Sequence, residues 1–337
     1  MTSTLPQHLF DDLGDLRENN KHAEKAPSYR RDHLLKFNIN FNAAIVVLRH
    51  LYSHVNIKCR FNEVIEKEER SHPILRLIWA GFEDDSATVA QSILRHEMQH
   101  LDDPRGQITV SDMFERPAMY NTLWHREPFL LYHPSLLGRP RGAKEWRIIK
   151  DGETVAKDSL VWWDSDNNLG DYIGSMFGRR AHKVTGDEFV DSFNDPAVIR
   201  VRYEHTAKDK PPVTYQYLRQ IQIPPRRLGP SPDDPSVLVR LPLEKDKERS
   251  LYTLVAVVRC SGKVDESDRI RLYKVIGHRL SLSIKLKEYV GTYWNLGDVN
   301  DPGRVYLLFY AISGSMMMGV WRCYCSLGHY TQSPRFA

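Results

Sequence analysis

The sequence has no run of about 18 apolar residues, the length a helix needs to cross a bilayer, so it gives no reason to expect a membrane span. Its first residues, Met1 to Arg17, carry acids where a secretion signal carries a basic region and then an apolar one. Cysteine is scarce. Cys59, Cys260, Cys323 and Cys325 are spaced neither as a disulfide framework nor as a four-cysteine zinc site, and a reducing compartment, cytoplasmic or nuclear, is expected. There is no internal repeat and no dense tract of one charge. The 47 Lys and Arg are scattered among 43 Asp and Glu, which argues against a nucleic acid partner. The one basic strip, Pro224-Pro225-Arg226-Arg227, reads as a solvated loop.

What is present is the composition of a packed protein: 41% hydrophobic and 27% charged residues over 337 positions. A large mixed fold can bury one core at this length. Residues 1–30 are polar and aperiodic and are expected to be a flexible lead-in, followed by a domain over 31–312 and a tail over 313–337. Phe41 to Tyr52, FNAAIVVLRHLY, is apolar almost all round and predicts a buried central helix. Val89, Ile93, Leu94 and Leu101 fall near helical spacing behind the capping groups Asp84, Asp85 and Ser86, so a second helix is predicted over 85–101, ended by Pro104. From 113 to 170, prolines, glycines and aromatics predict irregular structure pinned by large side chains. From Ala197 the pattern turns to short β runs, over 197–203, 218–223, 252–260, 269–275 and 305–310, which predict an antiparallel sheet. The connectors RRLGPSPDDPS and LEKDKERS read as exposed loops. Near-continuous apolar runs at Leu254 to Val258 and Leu307 to Phe309 predict strands buried on both faces.

Several of these features fall in one order. Tyr252 to Val258 leads into Cys260-Ser261-Gly262; Tyr273 follows, then Trp294 with Asp298 four residues on, and finally Tyr306-Leu307-Leu308-Phe309-Tyr310. Upstream, Asp195-Pro196 opens a strand through Val201, Ile221-Gln222-Ile223 ends at Pro224, Asp85-Ser86-Ala87 precedes Ile93-Leu94, and Asn42-Ala43 lies at the start of the first helix. In this order the chain resembles the ubiquitin-specific protease family over about residues 38–310. The resemblance implies an α+β papain-like ubiquitin-specific protease fold, with an N-terminal helical region packed on a C-terminal antiparallel sheet.

The family's chemistry needs a cysteine thiolate, a histidine that holds it and later protonates the leaving amine, and an Asp or Asn that orients the ring. Under the resemblance, Ile39 stands at the cysteine position and Arg269, within Asp268-Arg269-Ile270, at the histidine position, so Asp298 is the only surviving triad residue. Isoleucine is no nucleophile, and an arginine that stays protonated is no general base. The resemblance therefore implies a catalytically inactive protein that binds ubiquitin or another protein, with no cofactor. Two substitutes exist: Cys59 with Asn62, which repeat the Cys-x-x-Asn spacing but lie close to the Asp85 box, and Gly328-His329-Tyr330, which lies after the closing strand instead of before Trp294.

One competing constellation exists. His96-Glu97-Met98-Gln99-His100 matches His-Glu-x-x-His, where two histidines one helical turn apart hold zinc and the glutamate activates a bound water. A zinc-dependent hydrolase is the alternative function this motif raises. No third ligand follows at zincin spacing, although Glu115 and His125 are available, so His96 and His100 are expected to face solvent without metal. The pair Trp162-Trp163 is expected in the core, and Met316-Met317-Met318 either caps the sheet or meets another protein.

Overall fold

The computed structural model describes residues 43–55, 109–133, 137–143, 147–148, 152–181, 185–204, 213–224, 228–230, 238–240, 249–261, 266–274, 294–296 and 304–313. Elements are numbered over these residues. The chain is α+β. Helix α1 spans 43–53, and every side chain from Ala43 to Tyr52 is buried, including Arg49 and His50. This is the central helix that the apolar run predicts. Among the described residues no helix is long and apolar enough to cross a membrane.

The region expected to be irregular is instead built from short elements. Helix α2 (Val110–Phe114) starts at a reciprocal cap: the Asp112 N–H donates to Thr109 Oγ1 at 3.0 Å, and the Thr109 N–H to Asp112 Oδ2 at 2.9 Å. Helix α3 (Pro117–Met119) runs into a π turn over Tyr120–Trp124, whose Trp124 Nε1 donates to Phe114 O at 2.7 Å. Strands β1 (Leu137–Arg139) and β2 (Arg147–Ile148), helix α4 (Gly152–Asp158), strand β3 (Leu160–Trp163) and helix α5 (Leu169–Ser175) follow. Then come β4 (Gly178–Ala181), β5 (Glu188–Asp191) and β6 (Val198–Glu204). Beyond them lie α6 (Tyr215–Leu218), β7 (Gln220–Ile223), β8 (Leu228–Pro230) and β9 (Leu238–Arg240), and last β10 (Ser250–Arg259), β11 (Arg269–Leu272) and β12 (Val305–Ile312).

The central sheet has the order β11-β10-β12-β6-β3, with β7 also on β10. It is mixed, which corrects the antiparallel expectation: β3 runs parallel to β6, pairing Leu160 with Arg200 and Trp163 with Tyr203. A second sheet, β2-β1-β5-β4, is antiparallel throughout. The expected loop RRLGPSPDDPS contains β8, which pairs with β9. Strands β10 and β12 are buried along nearly their whole length, as their unbroken apolar runs predict, and Val255, Val257 and Val258 are β-branched residues suited to a covered strand.

One face of the central sheet carries a row of aromatic rings across the strands. Trp163 and Tyr203 lie 5.1 Å apart, Tyr203 and Tyr306 5.9 Å, Tyr306 and Trp294 6.4 Å, and the Arg271 guanidinium closes the row 4.4 Å from Trp294. Helix α5 lies so close to β7 that a Cβ at Gly170 would sit 2.4 Å from Gln222 O, which only glycine avoids.

Candidate functional site

β10 changes partner halfway along its length. Ser250 to Thr253 pair with β7, and Ala256 to Arg259 pair with β11. At the change, the register against β12 shifts between Leu254 and Ala256, leaving Val255 at a bulge. The Val255 carbonyl is turned to other donors: it accepts the Tyr273 N–H at 2.7 Å, and His50 Nε2 lies 3.1 Å away. The same His50 Nε2 lies 3.1 Å from Tyr273 O. Both neighbours are carbonyls that only accept, so Nε2 carries the proton. His50 thus ties α1 to β10 and to the end of β11, and burial lowers its pKa from 6.5 to about 4, against the two backbone hydrogen bonds that raise it. The ring is neutral at physiological pH. His54 Nε2 lies 3.4 Å from His50 Nε2, the two rings edge to face. Sequence reasoning missed His50 as an anchor; the available signal was an imidazole inside an otherwise apolar helix.

The turn from β10 to β11 contains a second buried polar group. Asp268, fully buried, accepts the Ser261 N–H through Oδ1 at 2.6 Å and the Val110 N–H through Oδ2. One carboxylate therefore pins the start of α2 to this turn. Burial raises its pKa from 3.8 to about 6, outweighing the backbone donors Val110 and Ser261 that lower it. Beside it the Cys260 thiol is buried, and burial together with the Asp268 charge pushes its pKa well up, away from a reactive thiolate. Glu266 is bound by Arg259 and by Arg304 at 3.0 Å; burial raises its pKa, but these two guanidinium groups outweigh it and hold the carboxyl below its ordinary range.

Arg269 stands next to this group as the first residue of β11, half-buried and paired in register with Arg259. It is the one position of the implied triad among the described residues. Ile39, Asp298, Cys59 and His329 lie outside them, as do His96, Glu97 and His100. The two further candidate zinc ligands are committed elsewhere. Glu115 accepts from Arg202 at 2.7 Å and from Ser111 at 2.7 Å, and a ring nitrogen of His125 lies 3.1 Å from Tyr120 O. Among the described residues no three His, Cys, Asp or Glu side chains gather as a metal site.

On the sheet face toward α2, Arg200 and Arg202 project from alternate positions of β6. Arg200 is buried, donates to Ala156 O at 2.6 Å and lies 4.4 Å from the Trp124 ring; its Nε has no hydrogen-bond partner, and burial lowers its pKa to about 10. It lines a small cavity with Phe114, Glu115, Trp124 and Leu160. Arg202 donates to Ser111 Oγ at 3.0 Å, pairs with Glu115 and lies 4.6 Å from the Trp162 ring. Trp162 corrects the expectation of two core tryptophans: Trp163 is 4% exposed but Trp162 is 56% exposed. Adjacent residues of a strand point to opposite faces, so the two rings part company at once.

No family model and no curated protein matches the sequence. Among solved structures, the apo Pan2 pseudoubiquitin hydrolase–RNA exonuclease module of Saccharomyces cerevisiae is similar at 10% identity and a TM-score of 0.23. The match covers 91% of this chain and 52% of that one, so the chain spans about half of that protein's length.

Proposed function

We propose that the chain is a catalytically inactive domain of the ubiquitin-specific protease type that works by binding ubiquitin or another protein. The observation that carries this reading is Arg269. It opens β11 directly after Asp268, at the position where the family resemblance requires the general-base histidine. Its side chain can donate hydrogen bonds but cannot take the proton of a thiol at physiological pH. The neighbouring groups are equally unsuited to that chemistry. Asp268 is spent on two backbone N–H groups, and Cys260 is a buried thiol with a raised pKa. This turn organises structure where an active protease would organise proton transfer.

The test is incubation of the purified chain with ubiquitin carrying a fluorogenic amide at its C-terminus. No release above buffer is expected. Turnover overturns the reading, and its disappearance in Cys59→Ala would locate the nucleophile at Cys59 and not at the position of Ile39. Metal analysis of the same preparation separates this reading from the zinc hydrolase that His96-Glu97-Met98-Gln99-His100 raises. Stoichiometric zinc lost in His96→Ala, with hydrolysis lost in Glu97→Ala, would replace the one by the other.

A further inference from the structure

We infer that the outer edge of β3 is a docking strip for an extended segment of a partner protein in which apolar residues alternate with basic ones. Among the described residues β3 ends the central sheet, with β6 on one side and no strand on the other. Alternate residues of such a strand turn their N–H and C=O groups outward, where an added strand can pair with them. Edge strands are commonly guarded by charge or proline. Here the middle of the edge carries instead an exposed tryptophan, Trp162.

The two faces of the edge specify what fits. Val161 and Trp163 are buried on one face, so an added strand continues that layer with apolar side chains at alternate positions. Its remaining side chains fall on the face of Trp162. That ring is held on one side by Arg202, whose own charge is paired with Glu115 at 2.7 Å, so the ring is fixed before any partner arrives. Just past the end of β3 stands Asp164, exposed, and the last residue of β6 is Glu204. Asp164 accepts the Asp166 N–H at 3.1 Å, and among the described residues no cation pairs with Asp164 or Glu204. A fixed aromatic face beside two carboxylates suits a lysine or arginine side chain, through cation–π contact and charge. A second copy of this chain suits it poorly, because the edge of a second β3 brings the same two acids.

The inference rests on the binding-module reading for the idea that the chain works by docking, and the tests keep the two apart. The probe is a fluorescein-labelled nine-residue peptide alternating valine with threonine and lysine, titrated into the full chain by fluorescence anisotropy. Saturable binding is expected, weakening with added salt and by about tenfold or more in Trp162→Ala and in the double variant Asp164→Asn, Glu204→Gln. A counterpart with glutamate for lysine, and one N-methylated on alternate valines, are both expected to bind at least about tenfold more weakly. Equal binding of the glutamate peptide, unchanged binding in both variants, or no saturable binding of the lysine peptide overturns the inference. Trp162→Ala alters an exposed side chain, and its melting temperature, expected within a few degrees of the parent, shows that lost binding is not lost folding. Sedimentation equilibrium is expected to return a monomer; a dimer abolished by Trp162→Ala would assign the edge to self-association and overturn the inference. A chain silent in both the peptide titration and the ubiquitin hydrolysis assay loses this inference and keeps the inactive-domain reading.

Discussion

Strands β12 and β1 both lie between two neighbours in a sheet, yet they are held in place by different physics. β12, between β10 and β6, is buried from Tyr306 to Ala311, with Leu308 set between Val257 and Val201. β1, between β2 and β5, reads Leu-Gly-Arg, and its Arg139 donates through Nε to Glu188 Oε2 at 2.9 Å, both side chains partly open to solvent. A central place in a sheet therefore does not by itself mean a place in the core. The central strands β10 and β12 of the six-stranded sheet are covered on both faces, whereas the four-stranded sheet relies at this point on a polar cross-strand pair.

The largest expected effect tests the first half of that contrast. Leu308→Asp places an unpaired charge where no water reaches, at a cost of several kcal/mol, comparable to the roughly 5–15 kcal/mol by which a domain is stable. Soluble expression is expected to collapse, or the surviving protein to lose a cooperative melt. A Leu308→Asp protein melting like the parent would place β12 at the periphery and end the comparison.

A middle-sized effect sharpens it by asking how the covered sheet tolerates a titratable group. His50 has a folded pKa of about 4 against 6.5 when unfolded, so as pH falls from 6.5 toward 4 the unfolded chain takes up the proton first and stability is lost. The loss is complete once the pH is below the folded value, and amounts to about 3 kcal/mol at 1.36 kcal/mol per pKa unit. Asp268 acts in the opposite sense. Its folded pKa of about 6 lies above the unfolded 3.8, so the folded chain holds its proton longer and stability rises as pH falls through that window. Comparing the parent with His50→Gln in urea at pH 7 and pH 4.5 cancels the Asp268 contribution. The parent is expected to lose about 2 to 3 kcal/mol relative to the variant between the two conditions. A pH-independent difference would mean that His50 is not buried at the β10 bulge.

What the sequence made legible follows the same division. The cores of β10 and β12 and helix α1 were readable because their apolar runs are long and local. β1, β4 and β5 were not, since Leu-Gly-Arg, Gly-Arg-Arg-Ala and Glu-Phe-Val-Asp have no apolar period, and β1 is joined to β5 across a long stretch of chain, Arg139 to Glu188. The parallel placement of β3 depends on the crossover through α5, which no local pattern encodes. Trp162-Trp163 was read as one feature because both residues are tryptophan, although strand alternation separates them. Of the candidate site, only Arg269 was singled out in advance. The use of Asp268 and His50 as anchors needed the fold, because their partners, Val110, Val255 and Tyr273, are backbone groups that the sequence does not distinguish.

The smallest expected effect tests the other half of the contrast, in the four-stranded sheet. Arg139→Met keeps most of the aliphatic stem and removes the guanidinium that binds Glu188. Neither side chain is deeply buried, so Glu188 can recover water as a partner, and the variant loses a surface pair and not a core contact. Such pairs contribute roughly 0.2–1 kcal/mol, part of which salt screens. In a chain of this size a loss of that order lowers the melting temperature by about 2 °C, and the deficit is expected to shrink when sodium chloride rises from about 0.05 to 0.5 M. The salt series matters more than the single melt. A small deficit that persists at high salt would mean that the methionine packs worse than the arginine stem, and so that apolar contact matters at β1 as well. A deficit as large as that of Leu308→Asp would show that β1 is as essential to the fold as β12, and the distinction between a strand held by apolar burial and one tied by a polar pair would fail.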